Sequence, residues 1–306
     1  MLYGLLHAMS NPLNDCPLAV GLLQLAMEER PERNRDRALE AVREAAAGGA
    51  RLIVLPELFA SCYFPVEQHL APFRLAAPLE EHPDLQALAP LCAELQVVVV
   101  ASVFERSGPH YFNTAVVLER DGSVAGVYRK SHVPDGPGYQ EKFYFRPGGR
   151  PPGAIATSVG RLGVAVCWDQ WFPEVARLLV LDGADVLVYP TAIGSEPSDP
   201  QEDSHGPWRR ALEGHAVCNA VPVVAVNRVG DEGTVRFYGG SCLLDARGEQ
   251  VVGLGREERA VAVGTVDLGA AARRRADWGF FRDRRPDLYA SLCEPPEPCT
   301  RSRSRS

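Results

Sequence analysis

Several things are missing from this 306-residue chain. No apolar run is long enough to span a bilayer, since the longest, at 97–100 and 162–167, are of strand length. No membrane partner is therefore expected. A basic excess is missing too: 32 lysines and arginines stand against 39 aspartates and glutamates, a net charge of −7. That balance argues against a nucleic-acid coat. The seven histidines form no HxxxH or HExxH and the eight cysteines no CxxC, so neither a metal nor another cofactor is expected. No GxSxG motif offers a serine elbow. Asn11, Asn14 and Asp15 interrupt the first apolar stretch and no basic residues precede it, which is unlike a secretory signal. The expected location is the cytoplasm, with most cysteines as buried, reduced thiols.

What is present is the composition of a folded domain, 46% hydrophobic and 23% charged. Strand-like and helix-like segments alternate along it. A strand at 19–25 leads to a helix at 35–47, for which Asn34 is the expected cap and Gly48-Gly49 the stop. Strand 51–55 follows, then helix 85–94 and strand 97–104. Hairpin strands 113–118 and 123–128 turn at Asp121-Gly122, and a Pro- and Gly-rich loop covers 131–152. Next come strand 162–167, helix 173–181, strand 186–189, helix 207–219 and strand 221–227. A hairpin of 241–245 with 250–254 and a last strand at 260–266 complete the series. No linker divides the middle, so the pattern predicts one α/β domain rather than two. The low-complexity tail ending in alternating Arg and Ser is expected to be disordered.

In open α/β sheets, functional groups gather beyond the carboxyl ends of strands. Three polar residues hold such positions here: Glu57 after strand 51–55, Lys130 after strand 123–128, and Cys167 at the end of strand 162–167. Each suits a role in acyl transfer. A thiol attacks as thiolate, a carboxylate takes its proton, and an ammonium meets the oxygen on which charge develops. Pro173 opens a helix just beyond Cys167, and its dipole would favour the thiolate. Taken singly, each residue also has an ordinary reading: a buried apolar cysteine, a solvated turn glutamate, a surface lysine.

Together the three blocks Leu55-Pro56-Glu57-Leu58-Phe59, Tyr128-Arg129-Lys130-Ser131-His132 and Val166-Cys167-Trp168-Asp169 resemble the signature blocks of the nitrilase (carbon–nitrogen hydrolase) superfamily, in the family's order. The resemblance covers about residues 19–290. Within the superfamily, the runs at 128–145, 167–174, 189–197 and 278–289 are similar to the N-carbamoylputrescine amidase branch. True nitrilases generally have Glu two residues after the nucleophile, where this chain has Asp169. The stretch 230–237 looks shorter than in plant members of the branch.

The resemblance implies a single-domain four-layer α-β-β-α sandwich. It also implies an amidohydrolase that converts N-carbamoylputrescine to putrescine, ammonia and carbon dioxide, with Cys167 as nucleophile, Glu57 as general base and Lys130 as oxyanion stabiliser. Glu141 matches a second glutamate that holds Lys130 and helps position substrate. Acids and a base in one enclosed site should couple and give a bell-shaped rate profile.

A cationic small-molecule substrate calls for anionic or aromatic contacts. Glu196, Asp199, Glu202 and Asp203 are available, Glu196 being favoured, with Tyr63, Trp168 and Trp171 as walls. An N-carbamoyl amino acid or β-ureidopropionate would instead need an arginine clamp, for which Arg129, Arg146 and Arg177 are available. A non-catalytic interaction protein on the same fold is the remaining alternative. The expected organisation is an extension at 1–18, the hydrolase domain at 19–268, an arm at 269–293 and the tail at 294–306. The arm is aromatic and arginine-rich, which suits either a subunit interface in a dimer or higher homo-oligomer, or local packing.

Overall fold

The computed structural model describes residues 15–294, so the expectations placed on 1–14 and on the tail from 295 lie outside the described residues. β1 (Pro17–Gln24) is followed by α1 (Pro31–Ala47), β2 (Leu52–Val54), α2 (Pro83–Leu95), β3 (Val98–Ser107), β4 (His110–Leu118) and β5 (Val124–Arg129). The second half holds β6 (Ile155–Thr157), β7 (Gly160–Val164), α3 (Pro173–Leu181), β8 (Val186–Thr191), α4 (His205–Asn219) and β9 (Val223–Asn227). A ribbon of β10 (Val229–Asp231) and β11 (Arg236–Tyr238) then leads to β12 (Cys242–Leu244), β13 (Gln250–Gly253), β14 (Ala260–Asp267) and α5 (Leu268–Trp278).

Two six-stranded sheets result, ordered β14-β1-β2-β3-β4-β5 and β13-β12-β9-β8-β7-β6. In the first, β1, β2 and β3 run parallel, with Leu52 opposite Val98 and Val54 opposite Val100. In the second, β7, β8 and β9 run parallel. Strand alternation sorts the side chains. Leu52, Val54, Val98, Val100, Ala115 and Val117 face the other sheet and share a core with Leu162, Val164, Val186 and Val188. Ile53, Val99 and Val116 point the opposite way, onto Ala41, Val42 and Ala45 of α1 and Leu88 and Leu91 of α2. α3 and α4 cover the outer face of the second sheet. The molecule is thus one α/β domain in four layers, α-β-β-α. Strands covered on both faces explain why 97–100 reads as an uninterrupted valine run rather than an alternation. Each fully buried valine or leucine in this seam contributes roughly 1.5–3 kcal/mol.

α1 lies close to its sheet because small residues meet there: a Cβ added at Gly21 would stand 2.9 Å from the Cβ of Ala45. The helix begins earlier than its sequence pattern suggests. Pro31 occupies the first turn, where its fixed φ and missing N–H cost nothing. Asn34 is therefore inside the helix and caps nothing. Its side chain accepts from Glu28 N at 2.9 Å and donates to Glu28 O at 2.7 Å and Ala60 O at 3.3 Å, tying the strand–helix connection to the turn after Glu57. β6, the β10–β11 ribbon and α5 have no counterpart in the sequence pattern. α5 is capped by Asp267, which accepts from Gly269 N at 2.9 Å, and stops at Gly279 with φ 70°. Within the 269–293 segment, Phe281 lies under Arg177 of α3 and Tyr289 under Arg284. No helix among the described residues is long and apolar enough to cross a membrane.

Candidate active site

β2 runs out through Leu55 and Pro56 to Glu57, β5 hands Lys130 inward, and β7 continues through Ala165 and Val166 to Cys167. These segments converge, Glu57 N donating to Thr191 O at the end of β8 and Cys167 Sγ donating to Ala192 O at 3.5 Å. Lys130 Nζ donates to Glu57 Oε1 at 2.9 Å and to Glu141 Oε1 and Oε2 at 2.8 and 2.7 Å, which engages all three of its protons. Glu57 Oε1 also accepts from Asn113 Nδ2 at 2.6 Å. Its second oxygen, Oε2, is buried and has no partner among the described residues.

With both carboxylates ionised, this buried group carries one net negative charge before the thiol ionises at all. Burial and then the charge of Glu57 accordingly push the Cys167 thiol well above its ordinary value, against the pull of Lys130. The dipole of α3 does not overcome this. Cys167 stands apart from α3, at the start of a short 3₁₀ turn (Cys167–Trp171), with φ at 45° in the left-handed region. Burial also pushes Glu141 up, to about 7, although Lys130 opposes it. For Lys130 burial works against the charge, yet Glu141 and Glu57 together hold the ammonium above its usual range.

Cys167 opens on a cavity of about 180 Å³. Tyr139, Trp168 and Trp171 form its aromatic walls, the two tryptophan rings lying 6.4 Å apart, and Asp135, Glu141 and Glu196 are its acids. Burial raises the carboxyl of Glu196 above its ordinary value, while Ser204 hydrogen-bonds it and opposes the shift. Tyr63 is not a wall: it is fully buried, and its hydroxyl donates to Glu141 from behind. Asp203 pairs with Arg256 in a separate cleft that Glu202 also lines, and Asp199 is exposed. The three arginines considered for a carboxylate clamp are engaged elsewhere. Arg129 pairs with Glu105, Arg146 with exposed His110, and Arg177 donates to Cys218 O. No group of three or more metal-ligating side chains is poised to hold an ion among the described residues.

A family model described as carbon-nitrogen hydrolase matches residues 19–276. The chain belongs to the carbon-nitrogen hydrolase family. It is 45% identical to an N-carbamoylputrescine amidase of Arabidopsis thaliana, over 90% of this chain and 95% of that one. To a citrullinase of Francisella tularensis it is 40% identical, over 90% and 98%. A carbon-nitrogen hydrolase from Helicobacter pylori G27, solved by crystallography, superposes with a TM-score of 0.86 at 37% identity, covering 92% of this chain and 99% of that one.

The site of this carbon-nitrogen hydrolase also depends on residues to which the sequence reading assigns no role. Asn113 is itself held by Ser102, whose hydroxyl donates to Asn113 Oδ1 at 2.8 Å and accepts from Leu58 N at 3.2 Å. The only hint in the sequence is a polar Asn-Thr pair directly before the apolar run 115–118. Asp169 is fully buried and accepts from Tyr128 OH at 2.9 Å, Val166 N at 3.1 Å and His132 N at 2.9 Å. It therefore ties the Lys130 segment to the Cys167 segment. Gly194, next to the cavity residue Ile193, admits no side chain, since a Cβ there would stand 2.4 Å from Arg236 O.

Proposed function

We propose that this chain hydrolyses N-carbamoylputrescine to putrescine, ammonia and carbon dioxide. One observation carries the substrate choice: the cavity at Cys167 combines two acids free of Lys130, Asp135 and Glu196, with three aromatic walls, and apart from the Lys130 bonded to Glu141 no arginine or lysine borders it among the described residues. That lining suits a ureido group on an alkyl chain ending in an ammonium. The relatives named N-carbamoylputrescine amidase support the same reading.

In this reading Cys167 Sγ attacks the ureido carbon while Glu57 takes the thiol proton, its open Oε2 being the available acceptor. Negative charge moves to the ureido oxygen, and Lys130 meets it by exchanging one of its two bonds to Glu141. The departing nitrogen receives the proton from Glu57, leaving a thioester. Water, deprotonated by Glu57, opens the thioester and regenerates the thiol. The carbamic acid so formed loses carbon dioxide. Glu141 holds Lys130, and Glu196 meets the substrate ammonium with Trp168 and Trp171 beside its alkyl chain. Tyr63 acts on the substrate side only through Glu141. The reaction calls for no cofactor.

The citrullinase relative favours a second reading, a ureido amino acid. Such a substrate brings a carboxylate into a cavity already lined by acids, which argues against it. A panel of N-carbamoylputrescine, citrulline, β-ureidopropionate, simple amides and nitriles, followed by ammonia release, decides. Highest kcat/KM on the carbamoyl amine is expected, and faster turnover of citrulline or β-ureidopropionate would reverse the assignment. Absence of turnover across the panel would favour the non-catalytic alternative.

Self-association, with the protein acting in the cytoplasm, belongs to the same proposal. Leu178 and Leu181 of α3 and Val217 of α4 are exposed apolar residues suited to a subunit contact. Light scattering on the purified protein should report a dimer or larger species.

A further inference from the structure

Glu57 and Tyr63 bracket a turn that is held by two residues the chemistry does not use. Arg228 follows β9 and is fully buried. Its Nη2 donates to the backbone oxygens of Glu57 at 2.7 Å and Leu58 at 3.0 Å. Nη1 donates to Ser61 O at 3.2 Å and to Glu232 Oε1 at 2.8 Å. Glu232, in the turn between β10 and β11, closes the loop by accepting from Tyr63 N at 2.6 Å. The guanidinium also lies 5.6 Å from the ring centre of Tyr63 and 5.1 Å from that of Phe237.

We propose that the Arg228–Glu232 pair is the positioning device for both active-site carboxylates. It grips the turn at Glu57, Leu58, Ser61 and Tyr63, and so sets the Glu57 carboxylate relative to Cys167. Through the Tyr63 hydroxyl it also sets Glu141 against Lys130. Two physical arguments favour this over a purely stabilising role. A buried ion pair adds little net stability compared with apolar residues of the same volume, so a further reason is needed for one here. Leu58, immediately after Glu57, is in the left-handed region at φ 49°. A non-glycine residue keeps that conformation only where its surroundings enforce it, and the carbonyl of this residue is one that Arg228 holds. The planar fork also explains the choice of residue, because one guanidinium reaches three backbone carbonyls and a carboxylate at once, four acceptors where an ammonium has three protons.

The inference rests on Glu57 as the base for Cys167, so its test includes a readout that needs no carbamoyl substrate. Iodoacetamide alkylates the thiol with loss of iodide, the thiol proton passing to the base, and the rate at Cys167 can be followed by peptide mass. In Arg228→Met, kcat on N-carbamoylputrescine should fall by roughly 100-fold with KM little changed, as expected for a small misplacement of a reacting group. Alkylation of Cys167 should slow and its pH profile shift, with Arg228→Lys restoring part of both. Leu91→Ala, on α2 beyond the first sheet, is the control for lost stability: at a matched fall in Tm it should keep both rates. If Arg228→Met does not fold, Arg228→Lys and Glu232→Gln carry the test. A folded variant of either residue with wild-type kcat and alkylation profile overturns the proposal. Wild-type protein inert on carbamoyl amines, but with alkylation sensitive to these substitutions, would end the substrate assignment and leave the positioning role standing.

Discussion

Lys130 bonds Glu57 through one carboxylate oxygen and Glu141 through both. This asymmetry gives the two acids different capacities. Glu141 is saturated by the lysine and Tyr63, whereas Glu57 keeps Oε2 open. Glu57→Gln preserves volume and one hydrogen-bond acceptor but removes the base. Turnover should fall by roughly 10²–10⁴-fold, the usual contribution of general base catalysis. A Glu57→Gln enzyme with near-wild-type kcat would assign the proton elsewhere.

Cys167→Ala should abolish ammonia release and leave the fold intact, since the thiol makes a single long bond, to Ala192 O. Circular dichroism and the thermal midpoint check the fold. Residual turnover near the wild-type level would remove Cys167 as nucleophile.

The Glu141 carboxyl is raised from the ordinary 4.5 to about 7, so between those values the folded protein binds more protons here than the unfolded chain. Stability therefore falls as pH rises through that window, by up to about 3 kcal/mol, and the loss is complete above it. Glu141→Gln removes this titration. Urea unfolding at pH 5 and pH 8 should show a smaller drop for the variant than for the wild type. Parallel drops would place the titration on another group.

Lys130→Met leaves Glu57 and Glu141 buried side by side without a cation. Breaking a buried pair in this way costs about 3–5 kcal/mol. The destabilisation should be larger at pH 8 than at pH 5, because a carboxyl that takes a proton no longer needs the ammonium. Calorimetry at the two pH values measures it, and an equal loss at both would mean that the carboxylates are relieved in some other way.

How much of this was legible in the sequence depends on the range of the interaction. The covered strands declare themselves by valine runs, and α3 by Pro173 at its start, because propensity and burial act over a few neighbouring residues. Three strand ends located Glu57, Lys130 and Cys167 as candidates. Asn34 misled because a good cap residue is also a good internal donor and acceptor, and Pro31 had already begun the helix. Nothing local in the sequence marks Arg228, since its partners at Glu57 and Leu58 are about 170 positions away in the chain. The sequence offers Tyr63 as an aromatic wall of the substrate site, whereas packing buries it against Glu141, a distinction only packing makes.

Glu196, an acid lining the cavity, gives the sharpest test of substrate charge. Burial raises the Glu196 carboxyl above its ordinary value, so as pH falls it loses its charge before an exposed glutamate would. If it binds an ammonium, KM for N-carbamoylputrescine should rise as pH falls, and this rise should vanish in Glu196→Gln. At neutral pH the substitution should raise KM roughly 10- to 100-fold, the worth of a hydrogen bond to a charged group, with kcat preserved. An uncharged amide serves as internal control, since it has no ammonium to lose and its KM should be the same in both enzymes. Equal KM values for the carbamoyl amine would take Glu196 out of the binding site. The ammonium would then be left to Asp135, the cavity's other acid that is free of Lys130.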